Sequence, residues 1–549
     1  MWRRKNKWLV VIFIFLVTAL AFRKPAEKYF DIAKSLDIFA TLFKEVNAYY
    51  VDEVEPRKLI RHGIEGMLES LDPYTDYIPE DELESFQIST TGQYGGIGAL
   101  IGIVNKRIVV THPYKNFPAY KAGIKVGDEI IAVNGKSIQG KTPAEISALL
   151  KGAPKTNLEI KIKRSGTSET TTYQISREKI SITNLSFSGL VEPGVGYIRL
   201  DDFTPGAARE VSDAVIALKQ KGASKIILDL RNNPGGLLHE AVNIVSLFVE
   251  KGQEVVSTKG KVEEWNKTYK TLNQPIDKKM GIVVLVGEGS ASASEIVAGA
   301  LQDYDRAVLI GQRTFGKGLV QTTRPLAYNS QLKVTTAKYY IPSGRCIQAL
   351  DYTHRKQDGT VERIADSLKV EFKTKRGRKV FDGGGLDPDI KIDDEYVAIT
   401  SALINEGLVF DFASRYCAEN PTIPELKSFQ LTEKDFNDFI MFVKNQQFAY
   451  TTPLEDDIEK LMETAKKERY DELLNSELNG LLNKVQSSKS SDIKKYKPEI
   501  MEVLREQIGF HYNLYEGQAE VSLQHDAAIL EGRKILKDSV TYNKLLSVN

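Results

Sequence analysis

Between residues 25 and 85, apolar side chains return every three or four positions: Ile32, Leu36, Phe39, Leu42, Phe43 and Val46. That spacing marks one face of a helix. It predicts a helical segment over 25–85, broken by a turn at Leu71-Asp72-Pro73-Tyr74-Thr75-Asp76. From 86 to 178 the pattern shortens. Arg107-Ile108-Val109-Val110-Thr111 and Leu158-Glu159-Ile160-Lys161-Ile162 read as strands. Val133-Asn134-Gly135-Lys136 reads as a hairpin turn in which Asn-Gly supplies positive φ angles. Pro143 to Leu150 reads as a short helix with proline in its first turn. From 179 to 395 uninterrupted apolar runs appear, Lys225–Leu230 and Ile282–Val286, as in strands buried on both faces. They alternate with helical stretches around Ala207–Lys221, Leu237–Val249 and Ser294–Asp303, the α/β pattern. From 396 to 549 Leu, Lys, Glu and Asp recur at helical spacing, most clearly over Glu455–Val485 and Pro498–Tyr515. Gln486–Ser491 reads as a polar linker between those two helices. The expected fold is a multidomain α/β core preceded by a β-rich module and an N-terminal helical segment, and followed by a C-terminal helical extension.

Composition adds limits. With 549 residues the chain has room for three or four domains, each with its own core. Hydrophobic content of 42% and charged content of 27% are ordinary for a globular protein. A formal net charge of +1 implies no polyanionic partner, so no nucleic acid is expected. The basic run Lys373-Thr374-Lys375-Arg376-Gly377-Arg378-Lys379 reads as a solvated turn between strands. Cys346 and Cys417 form no CxxC pair, metal-ligand spacing or disulfide framework, and their pairing stays open. Arg3, Arg4, Lys5 and Lys7 precede an uncharged run from Trp8 to Phe22, and Ala19-Leu20-Ala21 fits a small-x-small cleavage site. Residues 1–24 therefore read as a secretory signal, with an uncleaved membrane anchor as the second reading. Both place the body of the chain in the periplasm or another extracytoplasmic space.

Candidate chemistry concentrates in Gly287-Glu288-Gly289-Ser290-Ala291-Ser292-Ala293-Ser294-Glu295 and Thr314-Phe315-Gly316-Lys317-Gly318. Ser292 directly follows a buried strand and opens a helix. Taken alone, Ser292-Ala293-Ser294-Glu295 is a capping box. At the carboxyl end of a sheet, beside helix-start amides and between small alanines, the same hydroxyl is placed to attack a carbonyl. It needs a base. His239 lies near a glycine loop after a strand and leaves a Ser/His site open, but Lys317, between glycines, is the better candidate. Lys317 and Gln321 are four residues apart, an even step that on a strand points both the same way. Gln321 can hold the amine without adding charge, and burial would lower the lysine pKa. Gly311 to Lys317 also matches GxxxxGK. Gly318 replaces the Ser or Thr that would bind magnesium, and the continuation looks extended, so a phosphate loop is disfavoured. After the strand Lys225–Leu230, Arg231-Asn232-Asn233-Pro234-Gly235-Gly236 makes a tight turn. The amide of Gly235 or Gly236 could pair with that of Ala293 as an oxyanion hole.

Upstream, Tyr94-Gly95-Gly96-Ile97-Gly98-Ala99 precedes an apolar strand, followed by Pro118-Ala119-Tyr120-Lys121-Ala122-Gly123-Ile124-Lys125-Val126-Gly127-Asp128-Glu129-Ile130 and Val133-Asn134-Gly135. This run, within 86–178, resembles a PDZ domain. The resemblance implies that the amides of Ile97, Gly98 and Ala99 hold a peptide C-terminal carboxylate while the peptide adds a strand to the sheet edge.

Exported leader, PDZ-like module, Arg-Asn-Asn-Pro-Gly-Gly loop, serine segment and lysine segment follow in that order. Over about residues 30–395 the chain resembles the carboxyl-terminal processing peptidases, or tail-specific proteases. The resemblance implies a serine endopeptidase with Ser292 as nucleophile, Lys317 as general base and Gln321 orienting it. It implies oxyanion donors at Ala293 and a Pro-Gly-Gly glycine, with no metal or cofactor. Expected partners are protein or peptide substrates with free C-termini, further copies of the chain as a homo-oligomer, and an adaptor protein. The competing reading is a catalytically inactive PDZ scaffold or chaperone. Two segments depart from the common core: a charged insertion from Gln348 to Lys379, and the helical tail after 396, in which no catalytic constellation is visible.

Overall fold

The computed structural model describes residues 29–356, 359–392, 396–422 and 425–547. The expected leader over residues 1–24 lies outside the described residues. Among the described residues no helix is long and apolar enough to cross a membrane. The chain forms two compact units. One comprises residues up to Glu80 with Thr322–Thr335, the other Asp81–Gln321 with Thr336–Asn549.

In the first unit, residues 29–49 form a helix that packs the Phe39 ring against Gly63 of the next helix, Pro56–Glu69. The expected turn follows. Asp72 Oδ1 accepts the N–H groups of Tyr74 and Thr75, both at 2.8 Å, as aspartate does in turns. The strand Asp76–Ile78 then pairs antiparallel with Gln331–Lys333.

In the second unit the PDZ-like module is a sheet of six strands. Its path runs Ala99–Val104, Arg107–Pro113, Glu129–Val133, Asn157–Lys163, Thr170–Ser176, with Lys136–Ser137 pairing beside the third. Asn134 and Gly135 turn the hairpin at φ +50° and +74°. The helix Pro143–Leu150 starts with a complete capping box between Thr142 and Glu145, and it buries Ile146 and Leu150 in the module's core.

The central sheet also has six strands, in chain order: Leu185–Glu192, Val195–Leu200, Lys225–Asp229, Gly281–Val286, Val308–Gly311 and Ile390–Lys391. The first pair is antiparallel and every later pairing is parallel. Its four inner strands are buried on both faces, and their alternate residues enter two different cores. Ile226, Leu228, Ile282, Val284 and Val286 meet Val211, Val215, Val245 and Val297 of the helices Ala207–Gln220, Leu238–Ser246 and Ala293–Asp303. Ile227, Val283, Leu285, Val308 and Ile310 meet Ala528, Ile529, Ile535 and Leu536 of the helix Ala527–Lys537, beside Leu545 and Leu546 at the end of the next helix. Gly532 permits that approach, since the position of its missing Cβ lies 3.3 Å from Ile227 and Val283. The last two helices of the chain are therefore the second outer layer of an α/β/α sandwich.

Three expectations change. Gln486–Ser491 is not a loose linker: a helix runs to Ser488, a short 3-10 turn follows and a further helix begins at Asp492. The Glu455–Val485 stretch breaks instead at Arg469, which takes φ +63° between the helices Pro453–Glu468 and Asp471–Ser488. The basic run 373–379 does turn between two short strands, but Arg378 is not solvated. Its guanidinium is only 11% exposed, pairs with Asp305 at 2.6 Å and Asp389 at 2.5 Å, and so ties the charged insertion to the core. Cys346 and Cys417 are both free thiols.

The rest of the C-terminal extension has its own core, in which Phe412, Phe439, Leu504 and Ile508 are buried together. It contacts the PDZ-like module through Arg107–Asp411 at 2.5 Å and Lys115–Glu516 at 2.9 Å. The His112 ring packs against Phe510 and Tyr515. Replacing Ile529, which is 1% exposed, by alanine should cost about 2–5 kcal/mol in a denaturant unfolding measurement, because it opens a void between helix and sheet.

Candidate active site

Ser292 sits six residues beyond the strand Gly281–Val286, at the N-cap of the helix Ala293–Asp303. Its backbone takes φ +54° and ψ −112°, a region that costs a non-glycine residue strain energy and recurs at functional turns. Two neighbouring serines are spent on holding this turn. Ser290 Oγ donates to the Leu230 carbonyl at 2.8 Å and accepts from Gly287 N–H, and Ser294 Oγ donates to the Asn233 carbonyl at 2.9 Å. The Asn233 carbonyl also accepts Ala291 N–H at 3.1 Å. The Arg231–Gly236 loop is thus bonded on both sides of Ser292.

Within that loop Gly235 takes φ +95° and lies against the serine turn. A Cβ there would stand 2.6 Å from the Ala291 carbonyl, 2.8 Å from Ala293 N and 2.9 Å from Ser292 Cβ. Its N–H donates to Asn233 Oδ1 at 2.9 Å. In this conformation the Gly235 amide is committed inside the loop, which leaves Gly236 as the glycine amide to consider beside Ala293. The loop's base is a charged cluster. Asp229 accepts from Tyr197 Oη at 2.8 Å and pairs with Arg231 at 2.7 Å, and the Arg231 charge holds the buried Asp229 carboxyl below its ordinary range despite desolvation.

Glu295 joins the serine turn to the lysine segment. It is fully buried, and four donors surround its carboxylate. Oε2 accepts Ser292 N–H and Lys317 N–H, each at 2.9 Å. Oε1 accepts the Thr314 hydroxyl at 2.6 Å and Gly316 N–H at 2.8 Å. Burial pushes this carboxyl up to about 7, while the four donors pull the other way. Tyr339 Oη makes a second link, lying 2.6 Å from the Lys317 carbonyl and 3.3 Å from that of Ser292. Sequence reasoning saw Glu295 only as a helix-capping residue and did not single out Tyr339. The capping partner was legible, but the donors from 314–317 come from a segment that only the fold brings near.

Lys317 and Gln321 are both half-buried. The strand they were expected to share begins at Leu319, so residue parity does not set their relative direction. The glycines flanking Lys317 are required by close approach of the 347–349 backbone. A Cβ on Gly316 would meet Ala349 Cβ at 2.4 Å, and one on Gly318 would meet Gln348 N at 2.8 Å. The amides of Gly316 and Lys317 are bonded to Glu295, and that of Gly318 to Gln348 Oε1 at 2.8 Å. An extended strand follows. Committed amides and no helix start leave nothing to cradle a phosphate. The His239 side chain is 62% exposed, 3.7 Å from Glu240. Among the described residues no three His, Cys, Asp or Glu side chains gather as a metal site would require.

In the PDZ-like module, Ile97, Ala99, Leu100 and Ile101 face Ala144, Ser147 and Leu150 of the module's helix across a cavity of ≈ 320 Å³. The strand Ala99–Val104 is an edge of its sheet, open to strand addition. Gly98 takes φ +71°, and a Cβ there would stand 2.4 Å from Phe117 Cβ. Tyr94, not singled out from sequence, lies at the loop. Burial pushes its phenol up to about 12, opposed by a hydrogen bond from Ala99.

Three family profiles match the chain: "Peptidase family S41" over 194–354, "PDZ domain" over 109–164, and "Probable PDZ-protease, C-terminal helical domain" over 399–536. A "Probable CtpA-like serine protease" of Staphylococcus aureus is 38% identical over 406 residues, which cover 73% of this chain and 77% of that protein. A "Carboxy-terminal-processing protease" of Bartonella bacilliformis is 38% identical over 327 residues, covering 58% of this chain and 74% of its own. Among solved structures, the photosystem II D1 C-terminal processing protease aligns at a TM-score of 0.35 and 28% identity, over 65% of this chain and 93% of that one. The chain belongs to the carboxy-terminal-processing serine proteases of peptidase family S41.

The buried Glu295 makes a pH signature. Its carboxyl titrates at about 7 in the folded protein against an ordinary 4.5. The folded state holds that proton more tightly, so this group's contribution to stability falls as pH rises from 4.5 to about 7 and is level outside that window. Glu295→Gln does not titrate. The difference in melting temperature, variant minus wild type, should therefore grow across that window and flatten above it, read by thermal unfolding at a series of pH values.

Proposed function

We propose that the enzyme is an exported endopeptidase that cleaves proteins according to their C-terminus through a Ser292–Lys317 dyad. Ser292 Oγ attacks the scissile carbonyl and passes its proton to a neutral Lys317 amine. The carbonyl carbon becomes tetrahedral, with negative charge on its oxygen, and the amides of Ala293 and Gly236 receive that oxygen. The charge collapses, the C–N bond breaks and the lysine returns the proton to the leaving amine. An ester to Ser292 remains. Water, deprotonated by the same lysine, hydrolyses it and restores the hydroxyl. Gln321 orients the lysine amine. The groove beside Ile97, Gly98 and Ala99 takes the substrate's apolar tail as an added strand. The leader over residues 1–24 carries the enzyme to an extracytoplasmic space, where it works as a homo-oligomer.

The observation that most supports the dyad is that one Glu295 oxygen accepts both the Ser292 and the Lys317 amide, while Tyr339 Oη reaches the carbonyls of the same two residues. Four backbone groups of two distant segments are registered against each other, as a site intolerant of misplacement requires. The turn's strained φ at the half-buried Ser292 and the small, buried Ala291 and Ala293 on either side fit a nucleophile rather than a mere cap. The test is cleavage of one unfolded protein made with and without three apolar residues at its C-terminus. Wild type should cut the tailed form faster. Ser292→Ala and Lys317→Ala should each lose at least about 1,000-fold of that rate. Ser292→Ala retaining normal turnover would refute the mechanism, and a stably folded variant that still binds the tail would separate the protease from a peptide-binding scaffold.

A further inference from the structure

We infer that Asp526, far from the serine in sequence and part of the C-terminal extension, is a positioning residue for the oxyanion loop. The inference rests on the Ser–Lys protease reading above. The two oxygens of Asp526 have separate roles. Oδ1 accepts Ile529 N–H at 2.9 Å and caps the helix Ala527–Lys537. Oδ2 meets Nη2 of Arg231 at 2.8 Å. The same Nη2 lies 2.7 Å from Asp229 Oδ2, and Arg231 N–H donates to Asp229 Oδ1 at 2.9 Å.

The Asp229 contacts are local. That carboxylate ends the strand from which Arg231 continues, so it moves with the loop. Asp526 ties the same guanidinium to another layer of the fold. Its helix is pinned to the sheet by Ala528 and Ile529, each 1% exposed. The pair stands at the wall of a polar cavity of ≈ 670 Å³ near the carboxyl ends of the parallel strands, with side chains 19% and 15% exposed. Such a pair is screened less than one on the open surface.

Arg231 is two residues before Asn233, whose carbonyl bonds Ala291 N–H and the Ser294 hydroxyl on either side of Ser292. Asn232 is itself lodged against Gly289, where a Cβ would meet Asn232 Cα at 2.8 Å. A displaced Arg231 therefore shifts both the Gly236 amide and the serine turn. Catalysis suffers, while the groove beside Ile97 and Ala99 shares no lining residue with the cavity of the Arg231–Asp526 pair.

The test uses the full-length protein and the tailed, unfolded substrate. Asp526→Asn keeps an oxygen for the Ile529 cap but loses the charge facing Arg231, and Asp526→Ser keeps a cap yet is too short to reach it. Both should lower kcat by about 10-fold or more, as small misplacements of catalytic groups do. KM and the melting temperature should stay near wild type. Wild-type kcat in both variants would overturn the proposal. So would a loss of activity matched by a fall in melting temperature, which marks a purely structural role. Ser292→Ala, run alongside, separates the two claims: if it cleaves normally the protease mechanism has failed and this inference with it, whereas an inert Ser292→Ala beside fully active Asp526 variants removes this inference alone.

Discussion

One buried carboxylate registers this site. Glu295 has no exposed surface, and its four donors come from the turn before its own helix and from the segment 314–317. A carboxylate placed in a low-dielectric interior is costly unless its lone pairs are filled. Here filling them forces Ser292 and Lys317 to present their amides to one oxygen. The geometry of the proposed dyad thus follows from a desolvation constraint on a third residue. Tyr339, from another strand, locks the same two backbones from the carbonyl side.

A second constraint explains why the chain continues past its α/β core. A parallel sheet is apolar on both faces and needs cover on both. The helices between the strands supply one side. The other is covered by Ala527–Lys537 and the helix after it, the last elements of the chain. The C-terminal extension is therefore structural before it is anything else. Because that layer ends above the carboxyl edge of the sheet, its cap residue Asp526 also comes within reach of Arg231. Its remaining helices make ion pairs and ring contacts with the PDZ-like module, so that module and the core's outer layer share one scaffold.

Much of this was legible because the decisive signals are local. Continuous apolar runs mark Lys225–Asp229 and Gly281–Val286, Asn134-Gly135 marks its turn, and the capping pattern at Ser292 marks the start of the helix. What stayed hidden depends on segments far apart in sequence. The charges around Arg378 read as a solvated turn, although Asp305 and Asp389 neutralise them in the interior. The glycines around Lys317 were seen to allow close approach, but the neighbour, 347–349, was not visible. The polar stretch 486–491 has no apolar periodicity and still holds helical turns, because Lys489 reaches Glu455 of an earlier helix at 2.9 Å. Gly235 and Gly236 look equivalent in the sequence, and only the Asn233 side chain distinguishes their amides.

The central claim is that Lys317 activates the hydroxyl of Ser292. Its most direct test is mass spectrometry of the protein treated with a serine-directed fluorophosphonate, which bonds to an activated serine oxygen with loss of fluoride. The account predicts one adduct, on the peptide carrying Ser292, and its near-absence in a folded Lys317→Ala protein. An adduct on a different serine, or labelling of Ser292 at an undiminished rate without the lysine, would contradict it.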